Sequence, residues 1–175
     1  MTMTLISTVT VTGADAASID LSSLPGTYTD LLFLASIRSS RSGASDDDAR
    51  IRFNGSTTSY STRILRGNGA SASSTTSTDI TIGLISTAIT TSNTFANCAV
   101  YVPNYAGSTN KSVSADGVGE NNATTAWQML GAGLWSNTAA ITSASISAVN
   151  GNLVTGSSVS VYGITKGSGG ATVSP

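Results

Sequence analysis

Along this chain apolar and polar residues alternate at every second position far more often than they recur at every third and fourth. ITSASISAV, Ile141 to Val149, and SVSVYGI, Ser158 to Ile164, are two examples. A period of two sends successive side chains to opposite faces of a strand, so Val159, Val161 and Gly163 share one face. In RIRF, Ile51 and Phe53 point inward while Arg50 and Arg52 point outward. DLLFLASI, Asp30 to Ile37, is apolar on both faces at its start, the pattern of a strand buried in the middle of a sandwich. No long window carries apolar residues at helical spacing, and neither heptads nor a repeat of 20 to 50 residues is present.

Turn signals interrupt these runs at short intervals: SLPGTY, RFNGST, RGNGAS, PNYAG and AVNGNLV all hold glycine, proline or asparagine. Asn150-Gly151 is the strongest hairpin signal, because a type I′ turn needs positive φ at both central residues. Eight to ten strands follow, near 3–12, 28–38, 49–54, 58–66, 79–86, 94–103, 110–116, 124–135, 139–149 and 157–164. Many short strands at this spacing predict an all-β fold, a single-domain antiparallel β-sandwich of jelly-roll type over residues 1–164. Residues 1–12 read as an arm strand able to pair with a neighbour's sheet edge. TKGSGGATVSP, at residues 165–175, reads as a flexible tail.

Composition narrows the function. Apolar residues are 39% and charged residues only 10%, against roughly 25% charged in typical soluble domains. Serine and threonine, about a third of the chain, take up the difference. Ample apolar content with little charge argues for a packed core rather than disorder. With 8 basic and 9 acidic residues, no basic face can be assembled to hold a phosphate backbone, so nucleic acid is not an expected partner. The N-terminus has neither a basic n-region nor an unbroken apolar h-region, and no run is long enough to span a bilayer; no membrane role is expected. The single cysteine, Cys98, sits in the apolar run FANCAVYV and reads as a buried small hydrophobe. Three N-x-S/T sequons, at Asn54, Asn110 and Asn122, are about what chance gives in so Ser/Thr-rich a chain.

Catalytic chemistry has little to stand on. There is no histidine, which removes the commonest general base and most transition-metal sites. No nucleophile elbow, P-loop or dinucleotide fingerprint occurs. Asp116 and Glu120 are the one acidic pair outside the Asp46-Asp47-Asp48 run that invites a glycosidase reading. No enzymatic activity, cofactor or metal is expected. The aspartate run reads as a polar turn before a strand starting at Arg50, in preference to a calcium site. Arg38, Arg41, Arg50 and Arg52, crowded around it, are the candidate partner contacts, since arginine meets carboxylates by bidentate contacts. Trp127, Trp135, Tyr60, Tyr101, Tyr105 and Tyr162 are read first as core, with Trp127, Trp135 and Tyr105 the alternative platform for a sugar.

The block TAWQMLGAGLWSNTAAITSASISAVNGNLVTGSSVSVYGITK, together with LPGTYTDLLFLASIRSSRS and RIRFNGSTTSYSTRILRGNG upstream, resembles a widespread group of small β-sandwich virion proteins of tailed bacteriophages. The resemblance runs from about Leu21 to Ile164 and closes on Tyr162-Gly163-Ile164. It implies a capsid decoration (cement) protein, a homotrimer assembled in the host cytoplasm, whose partners are its own copies and the major capsid protein of the virion. The alternative it leaves open is a fibre or spike module binding a host-surface glycan.

Overall fold

A computed structural model describes residues 2–120 and 126–166. The described chain forms twelve strands: β1 Thr2–Thr10, β2 Ile19–Leu21, β3 Asp30–Ile37, β4 Asp46–Phe53, β5 Tyr60–Gly67, β6 Ala72–Ser77, β7 Ile80–Ser86, β8 Ala96–Pro103, β9 Lys111–Glu120, β10 Ala126–Trp135, β11 Ala144–Ala148 and β12 Ser158–Thr165. All pairings are antiparallel. They build an eight-stranded sheet, β1-β12-β3-β8-β9-β10-β5-β6, and a four-stranded sheet, β2-β11-β4-β7. The order β1-β12-β3-β8 against β2-β11-β4-β7 is that of a jelly roll, with β9, β10, β5 and β6 extending the larger sheet beyond β8. The sandwich expected from the alternation is therefore present.

Each strand obeys its pattern. Leu31, Phe33, Ala35 and Ile37 of β3 meet Ile51 and Phe53 of β4 and Val159 and Val161 of β12 in one core. Trp135 closes one end of it, with Phe53 and Tyr60 rings at 5.7 and 6.0 Å. β7 is buried along its whole length because it lies across β9 and β10. Glycine makes that approach feasible. A Cβ at Gly119 would stand 2.4 Å from the Leu84 carbonyl oxygen, and one at Gly117 would stand 2.7 Å from the Gly83 Cα. The glycines of DGVG and LGAG thus mark the place where the two sheets come closest.

Several expectations need correction. Asp46-Asp47-Asp48 is not a turn; it opens β4 and pairs with Leu84, Ile85 and Ser86 of β7. The run continues the alternation of RIRF, because Asp47, Ala49, Ile51 and Phe53 all point inward. Asn150-Gly151 is not a two-residue hairpin. β11 and β12 belong to different sheets, and neither residue has positive φ. The dipeptide turns the chain from one sheet to the other, and glycine fits there because a Cβ at 151 would meet the Ser39 Oγ at 2.3 Å and the Arg41 N at 2.7 Å. The arm strand is paired within its own chain, with Thr2 to Thr10 running along β12 and a bulge between Leu5 and Ser7. DLLFLASI is central in its sheet, but Leu32 is only half-buried and Leu34 is exposed. β2 and β6 were not signalled by the pattern. Of the tail expected at 165–175, Thr165 instead ends β12, and residues 167–175, like the sequon at Asn122, lie outside the described residues.

Candidate interaction surface

The four arginines singled out by the sequence are held by the chain itself. Arg38 follows β3 and is 7% exposed. Its Nη1 donates to the carbonyls of Thr91 and Thr94 at 2.6 and 2.9 Å, and its Nη2 to those of Thr87 and Thr90 at 2.5 and 3.2 Å. One guanidinium thereby ties down the whole connection between β7 and β8. Arg41 donates to the Asp46 carbonyl at 2.9 Å and stands 4.0 Å from the Asp47 carboxylate. Arg50 and Arg52 converge on Asp79: Arg52 donates through Nε at 2.9 Å and Nη2 at 3.2 Å, and Arg50 through Nη1 at 3.2 Å. Arg38 is thus a packing residue, and Arg50 and Arg52 reach a partner only by giving up Asp79.

The aspartates divide by strand parity. Asp47 points inward and accepts from Ser39 Oγ at 2.8 Å, from the Asn150 N–H at 3.1 Å and from the Asn150 Nδ2 at 2.9 Å. Asp48 points outward and takes Arg66 Nη2 at 2.5 Å. Burial nonetheless holds the Asp48 carboxyl above the usual range, with Asp46 and Asp47 adding to it and Arg66 opposing. The three carboxylates do not converge as a cation would require, and among the described residues no cluster of three metal-ligating side chains occurs.

Asp116 and Glu120 are both on β9, four residues apart in an extended strand, which separates their Cα atoms by about 13 Å. The strand holds the two backbone positions apart and does not draw the carboxyl groups together as a glycosidase pair requires. Glu120 instead accepts from Thr91 Oγ1 at 2.5 Å. The sugar platform is likewise dismantled: Trp135 and Tyr105 are fully buried, and Trp127 is half-buried on the inward side of β10. Tyr101 donates to Asp30 at 2.8 Å, which raises its phenol above the ordinary value.

What the sequence reading missed is a contrast between two surfaces. The outer face of the small sheet and its margins hold Asp20, Asp46, Asp48, Arg50, Arg52 and Asp79, mostly cross-paired. The outer face of the eight-stranded sheet is nearly uncharged. Register places Leu65, Leu130, Asp116, Ala99 and Leu34 side by side in one row across it. The next row holds Arg63, Ala132, Ser114, Tyr101, Leu32 and Tyr162. Arg63 and Asp116 are the charges of these two rows, and neither enters an ion pair among the described residues. Leu65, Leu130, Val118 and Leu134 are 52, 46, 43 and 37% exposed. Two shallow hollows flank the Leu65–Leu130 ridge, one of about 310 Å³ toward Arg63, Ser74 and Ala132, the other of about 210 Å³ toward Gly67, Ala72 and Gln128. An exposed apolar ridge of this kind on a nearly uncharged sheet face is a candidate contact surface. The signal was present in LLFL, whose leucines fall on both strand parities, and in MLGAGL, whose Leu130 and Leu134 share the parity opposite buried Met129.

Comparison of the chain with protein-family models, with characterised proteins and with solved structures returns no match.

Proposed function

We propose that this chain is a structural protein of a tailed-bacteriophage particle, a decoration protein that binds and stabilises the major-capsid lattice. The observation that carries the proposal is the outer face of the eight-stranded sheet, broad, regular and nearly uncharged, on a small sandwich built around β-branched strands. Such a face suits repeated contact with other protein surfaces, where charged residues are depleted at the centre and apolar anchors do most of the work. The likeness of the C-terminal block to phage β-sandwich proteins supplies the context of a particle.

Decoration stabilises a shell by ordinary linkage: a protein that binds only the assembled lattice raises the free energy of taking that lattice apart. The chain needs for this a rigid body and a contact surface, and no reacting group. The test mixes the purified chain with shells lacking it and follows co-sedimentation and the temperature of shell disassembly. Saturable binding with a higher disassembly temperature supports the proposal. Shells that neither bind the chain nor gain stability contradict it.

A further inference from the structure

Apolar residues on both parities of a strand ordinarily mean burial on both faces. The eight-stranded sheet buries one face on the small sheet and leaves the other in water, so its outer leucines need a second partner. The face supplies its own specification for one. Among the described residues, Arg63 on β5 and Asp116 on β9, with β10 between them, are its exposed charges outside any ion pair, while Glu120 at the end of β9 is taken up by the Thr91 hydroxyl. They are two strands apart, about 10 Å, and offset by one two-residue step, about 7 Å. They form no pair with each other, so each is open to an opposite charge on another molecule.

We infer that the partner on this face is a second copy of the same chain, packed face to face about a two-fold axis. A two-fold lying in the plane of the face that carries Arg63 onto Asp116 also carries Asp116 onto Arg63, so one operation makes two ion pairs. The axis passes over β10 between Leu130 and Ala132. On the spacing and rise of a pleated sheet, the same operation sets the mate's Leu130 over the 310 Å³ hollow, among Arg63, Leu65, Leu130 and Ala132. Ridge and hollow are then reciprocal, and the two charges close the edge of an apolar centre. The strands of the two sheets cross steeply, toward the orthogonal class of sheet packing.

The extent suits a modest interface. Eight strands at about 4.8 Å and eight residues at about 3.3 Å give a face of roughly 1,000 Å². A standard interface takes about 800 Å² from each partner; because β10 is third from one edge, a steep crossing centred on it covers roughly 500 Å², the size of a weak, low-end interface. The inference concerns the purified chain alone; the crossing centred on β10 covers the face from β6 to β8 and leaves its β3-β12-β1 end open to a shell.

The experiment is sedimentation equilibrium on the full chain and on Arg63→Asp, Asp116→Arg, the two combined, and Leu130→Gln, with circular dichroism and thermal unfolding to verify folding. These are exposed positions, so the variants are expected to fold as the parent does. The expected result is a dimer whose dissociation constant rises at least about tenfold for either single reversal and for Leu130→Gln, and returns toward the parent value when both reversals are combined. A monomer at about 100 μM overturns the inference. So does an oligomer indifferent to the single reversals, or one that the combined reversal fails to restore. Particle binding by a protein that stays monomeric would overturn the dimer while leaving the decoration proposal standing.

Discussion

Asp47 and Asn150, 103 residues apart in sequence, are joined by two kinds of hydrogen bond, the Asp47 carboxylate accepting from both the backbone N–H and the side-chain amide of Asn150. This contact fastens the passage from β11 to β12 onto β4. It makes the central aspartate of the run a buried anchor. Asp47→Ala strands the Ser39 and Asn150 donors and leaves Arg41 without its anion. The expected loss is about 2–3 kcal/mol, read as a lower urea midpoint at unchanged slope.

The seam between the sheets is tested at glycine. Gly119→Ala places a methyl against the Leu84 carbonyl, a backbone atom that moves only if β7 moves. The expected loss exceeds about 2 kcal/mol, whereas Gly26→Ala, with open space around it, stays within about 0.5 kcal/mol. Thermal unfolding of the two variants side by side checks this. Equal effects would mean that the seam tolerates separation.

Cys98 is buried beneath Gly83, and burial, reinforced by Asp116, pushes its thiol from about 9 up to about 12. A thiol reagent is therefore expected to leave the native protein untouched and to label it on unfolding. The raised value also sets a pH dependence. Its contribution is fully present below about pH 9 and is lost as pH rises toward 12, because the unfolded thiol ionises first. Urea midpoints between pH 8 and 11 should fall less steeply for Cys98→Ala. The raised phenols of Tyr60, Tyr101 and Tyr105 account for a remaining slope of the same sign.

Arg38 separates packing from binding. Arg38→Met removes the donors to four carbonyls, with an expected loss of about 2–3 kcal/mol and faster proteolysis between β7 and β8. Variants of Arg50 or Arg52 lose about 1 kcal/mol or less, since their pairs with Asp79 are partly exposed. Folded Arg38→Met should bind shells as the parent does. A folded variant with weakened shell binding would restore Arg38 as a contact.

The strands were legible because β-branched residues at period two report which face is buried. Ten expected segments correspond to strands, and the boundaries moved by a few residues. β6, ASSTTS, was hidden because serine and threonine on both parities give no alternation to read. The opening of β4 was hidden because aspartate is a poor strand former, and because what holds Asp47 lies at positions 39 and 150. The arginines misled for a related reason. Their partners, Asp79 and the carbonyls of residues 87–94, are long-range, and nothing in local charge density distinguishes an internal clamp from a docking site. The outer face was half visible: leucine on both parities of β3 announced double burial, but only the register across eight strands shows that these side chains form one surface.

Whether the chain belongs to a particle is read most directly by counting it. Quantitative mass spectrometry of purified phage particles, referred to the major capsid protein, gives its copy number. A number comparable with the capsid subunits is the predicted result, since decoration repeats with the lattice. A handful of copies would place it on a fibre or tail, and absence from the particle would contradict the proposal.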